Sequence, residues 1–171
     1  PIESKFGDKL IDNLNAEISL GTVTNVEEAV QWLGYTYMMV RMKQNPFAYG
    51  IDWKELQEDP SLTNRRREMV FTCAKRLHHL QMIIFDENSE AFTPKDLGRI
   101  ASDFYLLSNS VEIFNQMMNP LATEADILSM ISMSSEFDSI KFREEESKEL
   151  KQLVEEDAPC QVAGDVDSPQ G

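Results

Sequence analysis

The side chains best suited to chemistry gather between residues 65 and 79. Arg65-Arg66-Arg67, then Lys75 and Arg76, place five cations on a stretch of helical periodicity. Guanidinium and ammonium groups so spaced either contact a phosphate backbone of DNA or RNA or pair with carboxylates of this chain or a neighbouring domain. The acidity of the chain favours pairing, since long-range repulsion weakens phosphate binding. His78-His79 is the only histidine pair. Adjacent helix positions point about 100° apart, so the two rings cannot readily share a metal, and a surface or interface role is expected with no metal site. Glu144-Glu145-Glu146 suits a solvated helix start, where acids match the dipole. Cys73 lies on an apolar helical stripe and Cys160 in a polar tail. Neither a disulfide framework nor a zinc spacing results, which fits a reducing compartment.

What is missing bounds the chemistry further. The sequence has no glycine-rich phosphate loop followed by Lys-Ser or Lys-Thr and no Gly-x-Ser-x-Gly. An ATPase cannot be built from these residues, and no nucleophile and base are paired. No catalytic residue and no cofactor are therefore assigned to this chain.

The elements that carry the basic stretch follow from apolar spacing. Phe6, Leu10, Leu14 and Ile18 define a helix over about 5–19 closed by Gly21. Thr22-Val23-Thr24 is a short extended piece, and Asn25 with Glu28 starts a second helix over about 26–43. Val26, Val30, Leu33, Tyr37 and Val40 form one face of it, broadened by Trp32, Tyr35, Met38, Met39 and Met42. Asn45-Pro46 ends it, because the residue before proline disfavours the helical region. After the aromatic connector Phe47 to Trp53, Asp59-Pro60 supplies a cap and first-turn proline for a third helix over about 60–80, with Leu62, Met69, Cys73, Leu77 and Leu80 on one face. Met82 to Phe85, turn chemistry at 86–89 and Ala91-Phe92 read as a β-hairpin. Thr93-Pro94-Lys95-Asp96 reads as another capped start, continued by Leu97, Ile100, Ala101 and Phe104.

Helix, short strand, helix, helix and hairpin is the order of a winged helix. The third helix takes the recognition position and the hairpin is the wing. The predicted fold is mainly α: a winged-helix domain at 1–93 with three helices and a small hairpin, then the first helices of an α-helical bundle at 94–157. There Val111, Phe114 and Met118 mark one helix, Thr123 with Asp126 caps another bearing Ile127, Met130 and Ile131, and Arg143 to Glu156 forms a charged one. A flexible acidic linker follows at 158–171.

Net charge is −14 over 171 residues. From 136 to 171 there are 11 acids and 4 bases, whereas from 38 to 80 there are 8 bases and 5 acids. The total argues against a free-standing nucleic-acid binder, and any anionic partner would meet the middle segment first. No apolar run nears the roughly 20 residues needed to span a bilayer. The start at Pro1, without initiator Met or signal sequence, suggests a stretch of a longer protein, with an intracellular, cytoplasmic or nuclear location expected. Trp32, Tyr35, Met38, Met39, Met42, Phe47, Tyr49 and Trp53 are many bulky groups for one small module, so a share of them is expected to pack on another domain.

Several ordered blocks resemble a known family. Residues 13–18 (Asn-Leu-Asn-Ala-Glu-Ile), Gly21-Thr22-Val23, residues 29–37, Val40-Arg41-Met42, Asn45-Pro46 and Tyr49-Gly50-Ile51 resemble the region behind the second RecA-like domain of tandem-cassette superfamily-2 DExH helicases. Residues 96–102 with Phe104-Tyr105, then Ser135-Glu136-Phe137 and Arg143 to Glu146, resemble the start of that family's helical-bundle domain. Residues 22–30 and 45–51 look closer to the activating-signal-cointegrator and fungal ribosome-quality-control branch than to the spliceosomal branch. The resemblance implies a module without catalysis that packs on the RecA-like motor domains of the same polypeptide and couples their movement to passage of RNA or DNA. It also implies ATP and Mg in the larger enzyme, and subunits of a cointegrator-type or quality-control complex as partners. The alternative is a free-standing winged-helix protein binding duplex nucleic acid or a protein.

Overall fold

Leu10, Leu14 and Ile18 are all buried along one stripe of helix α1 (Leu10–Leu20), as their fourfold spacing predicts. The computed structural model describes residues 2–138 together with 149, 151 and 152. A short 3-10 turn (Phe6–Lys9) leads into α1, and Gly21 closes it in the left-handed region at φ 78°. The chain divides into two units, Pro1–Tyr105 and Leu106–Gly171.

In the first unit, Asn25 caps α2 (Val26–Gly34) by accepting from the Glu28 amide at 2.9 Å. The predicted second helix is broken: Thr36 adopts extended backbone and α3 (Tyr37–Gln44) sets off anew. The Thr36 hydroxyl donates to the Leu33 carbonyl at 2.7 Å just past the end of α2, and Arg66 donates to the Val30 carbonyl, one turn earlier, at 2.6 Å. The break rotates the two halves, which exposes Tyr37 and Val40 and buries Met38, Met39 and Met42. A 3-10 turn (Pro46–Tyr49) and α4 (Trp53–Glu58) occupy the connector.

Helix α5 (Thr63–His79) starts three residues later than predicted. Pro60 lies in a turn, and the Asp59 carboxylate reaches past it to accept from the Asn64 amide at 2.9 Å. Its buried face is Val70, Ala74 and Leu77, with Met69 and Cys73 half-buried beside it. The hairpin pairs β1 (Ile83–Asp86) with β2 (Ala91–Pro94), Phe85 opposite Phe92, and Asn25 bridges to Ala91 as the short third member. Pro94 therefore ends a strand, and α6 (Asp96–Asp103) begins without a side-chain cap at Lys95. Ile100 and Phe104, predicted to continue its apolar face, are exposed. Helix α6 packs on α1, and this unit runs to Tyr105.

In the second unit, α7 (Ser108–Met117) buries Val111 and α8 (Glu124–Ser132) buries Met130. Thr123 and Asp126 form the capping box that their spacing predicts. Glu136, in the turn Ser135–Phe137, returns to accept from the Leu107 amide at 2.7 Å and from the Ser110 hydroxyl, so it caps α7 from a distant position. Residues 149, 151 and 152 are helical; the rest of the predicted charged helix, Glu144 to Glu146, Cys160 and the predicted linker lie outside the described residues.

Candidate interdomain interface and basic helix

Helix α5 holds the five predicted phosphate contacts. Arg66 reaches across to α2, its Nη1 on the Val30 carbonyl and its Nη2 on the Thr63 hydroxyl at 3.2 Å. Arg65 pairs with Glu68 at 3.3 Å. Arg67 pairs with Glu90 and lies over the Phe71 ring at 5.1 Å, while Lys75 pairs with Glu87 at 2.9 Å. Arg76 is exposed on the same helix. Two of these cations thus bind acids of the wing turn, tying hairpin to helix. Pairs this exposed contribute little stability and are screened by salt, so they orient more than they stabilise.

The imidazole of His78 acts locally. Its Nδ1 accepts from the Phe85 amide at 3.1 Å, satisfying a backbone donor on the outer edge of β1. Among the described residues no three His, Cys, Asp or Glu gather as a metal site. Burial pushes the Cys73 thiol up to about 11, which leaves it protonated and unreactive at neutral pH.

The eight bulky residues predicted to pack on another domain divide into two groups. Met38, Met39 and Met42 are enclosed in this unit's own core, a correction to their assignment to an outside surface. The cause is the break at Thr36, which a helical wheel cannot register. Trp32 is half-buried against Phe6, with ring centroids 5.9 Å apart. Tyr49 is half-buried and hydrogen-bonded to Glu3 and Ser4. Tyr35 is 92% exposed, Phe47 64% and Trp53 47%, the last two meeting edge to face at 6.0 Å.

Two features were not anticipated from sequence. Asn15 is buried, and its Nδ2 donates to the Gly98 carbonyl at 2.9 Å, locking α1 to α6. Glu3 receives Arg41, Asn45 and Tyr49 together. The fourfold spacing of Arg41, Asn45 and Tyr49, which runs from the last turn of α3 into the 3-10 turn after it, was the available signal.

Residues 3–79 match the model of a winged helix-turn-helix domain, and residues 94–171 match that of the Sec63 Brl domain. The chain belongs to the DExH helicase family, as its winged-helix and Sec63-type segment. It is 70% identical, over its full length, to the RQC trigger complex helicase SLH1 of Saccharomyces cerevisiae. It is 48% identical, again over all 171 residues, both to activating signal cointegrator 1 complex subunit 3 of Homo sapiens and to the DExH-box ATP-dependent RNA helicase DExH14 of Arabidopsis thaliana. The chain spans 9% of the yeast relative's length and 8% of each of the other two. The sequence has no glycine-rich phosphate loop, and among the described residues no acidic metal cluster forms. Among those residues no helix is long and apolar enough to cross a membrane.

Proposed function

We propose that this segment is a non-catalytic joint of an ATP-dependent RNA or DNA helicase, packing on the RecA-like motor domains of the same polypeptide and coupling their movement to strand passage. The exposed aromatics Tyr35, Phe47 and Trp53 carry the reading, because large apolar groups left exposed on a unit with a closed core are the groups a partner covers. Full-length similarity to proteins named as helicases supports it. So do the basic residues: Arg65, Arg66, Arg67 and Lys75 already have partners within the chain, which leaves little uncompensated charge for free phosphate binding. By the same reading the larger protein binds ATP and Mg elsewhere and acts within a cointegrator-type or ribosome-quality-control complex. ATPase and strand-separation assays of the full-length protein with and without residues 1–107 test this. Coupling predicts that the deletion abolishes unwinding; full retained unwinding refutes it. Neutralising Arg65, Arg66 and Arg67 tests direct phosphate contact, which requires weaker binding to single-stranded RNA or DNA and a shallower salt slope.

A further inference from the structure

Val40-Arg41-Met42, Asn45-Pro46 and Tyr49-Gly50-Ile51 are explained neither by the basic helix nor by the exposed aromatics. Met42, Pro46 and Ile51 are buried, as a core requires. The polar members Arg41, Asn45 and Tyr49 instead converge on one carboxylate. Arg41 Nη2 donates to Glu3 Oε1 at 2.7 Å and its Nε to Oε2 at 3.3 Å, a two-pronged grip. Asn45 Nδ2 adds a bond to Oε1 at 2.9 Å, and the Tyr49 hydroxyl donates to Oε2 at 3.0 Å. That phenol also accepts from the Ser4 amide at 2.8 Å, and the Tyr37 hydroxyl donates to the Ile2 carbonyl at 3.0 Å. Residues 2–4 are thereby strapped across α3 and the turn that follows it.

The arrangement fixes direction as well as position. A bidentate guanidinium-carboxylate pair tolerates little rotation, whereas a single apolar anchor permits swivelling. Arg41 is only 8% exposed and cannot give up its carboxylate without leaving a poorly solvated charge, so the strap is held or released as a unit. Arg41, foremost among the donors, and Asn45 keep the Glu3 carboxyl at about 2, so the pair stays ionised throughout the neutral range.

We propose that Glu3 and Arg41 form the rigid link through which displacement of the chain at residues 2–4 is passed to the winged helix, with Asn45 and Tyr49 as supporting positioning residues. This inference rests on the reading of the segment as a joint behind a motor. A swivelling attachment would absorb motor movement, while a strapped one delivers it to α3 and the core beneath.

The test uses the full-length helicase, measuring ATP hydrolysed per duplex opened for Glu3→Ala, Arg41→Ala and the exchanged pair Glu3→Arg with Arg41→Glu. Each single variant should raise that ratio about tenfold, within the range by which coupling elements are known to act, and the exchange should restore most of it. A purely structural role would lower ATP turnover and unwinding in proportion and leave the ratio alone. Single variants that fold, by unchanged thermal melting, and keep the wild-type ratio overturn the proposal. Should they not fold, Tyr49→Phe keeps the ring and removes the hydroxyl bonds to Glu3 and Ser4; a folded Tyr49→Phe enzyme with a wild-type ratio overturns it equally. Retained unwinding after deletion of residues 1–107 defeats the joint itself, whereas loss on deletion with unchanged strap variants defeats only the link.

Discussion

Replacing Gly98 by alanine sets two opposing effects against each other. Alanine is the better helix former by about 1 kcal/mol, and Gly98 is within α6, so propensity alone predicts stabilisation. An added Cβ, however, would lie 2.2 Å from the Met82 carbonyl oxygen and 2.8 Å from Asn15 Oδ1. The first of these is backbone at the base of the wing, and it already accepts the Lys95 amide at 3.0 Å, so it cannot yield without moving the helix or the hairpin. Overpacking of this kind costs roughly 1–3 kcal/mol, and displacing α6 also strains the buried Asn15 bond, about 1 kcal/mol more. The balance is a net loss of roughly 2 kcal/mol, or about 10 °C in melting temperature for a unit of this size. Circular-dichroism melts of Gly98→Ala and wild type read it directly. Gly34→Ala is the internal control: there the new Cβ meets Arg66 Nη1 at 2.5 Å, the far end of a side chain that can swing aside. Its loss should be smaller. An unchanged or raised melting temperature for Gly98→Ala would refute the argument that α6 is held against the wing by the absence of a side chain.

Further outcomes follow from single groups. Thr123→Ala should lower the stability of the second unit by about 1 kcal/mol in urea titration, since the capping box loses its hydroxyl. Burial alone would raise the Glu136 carboxyl, but bonds from the Ser110 hydroxyl and the Leu107 amide outweigh it and hold it below its ordinary 4.5. Its contribution is therefore present above that value and lost as pH falls through the lower folded value, so Glu136→Gln should flatten the acid limb of stability against pH. Cys73 has the opposite sign: its stabilisation is complete below the ordinary 9.0 and lost as pH rises towards 11. In a Cys160→Ser background, alkylation at pH 8 should proceed from only about 0.1% thiolate and quicken about tenfold per pH unit.

The sequence by itself determined the first helix, the cap at Asn25, the closing Gly21, the capping box at Thr123 and the hairpin, because each depends on residues within a few positions of one another. Apolar spacing likewise identified Leu10, Leu14 and Ile18 as core. It also set the balance of charge that made ion pairing the favoured fate of the arginines on α5. Only the tertiary structure decided which side chains those arginines meet, since Glu87 and Glu90 arrive through the fold of the wing. It alone broke the second helix at Thr36, and so turned Met38, Met39 and Met42 inward while leaving Tyr35 outside. Convergence of Arg41, Asn45 and Tyr49 on Glu3, and of Asn15 on Gly98, spans about 40 and 80 residues of chain. Local propensity has no reach over such separations; the packing of distant segments sets them.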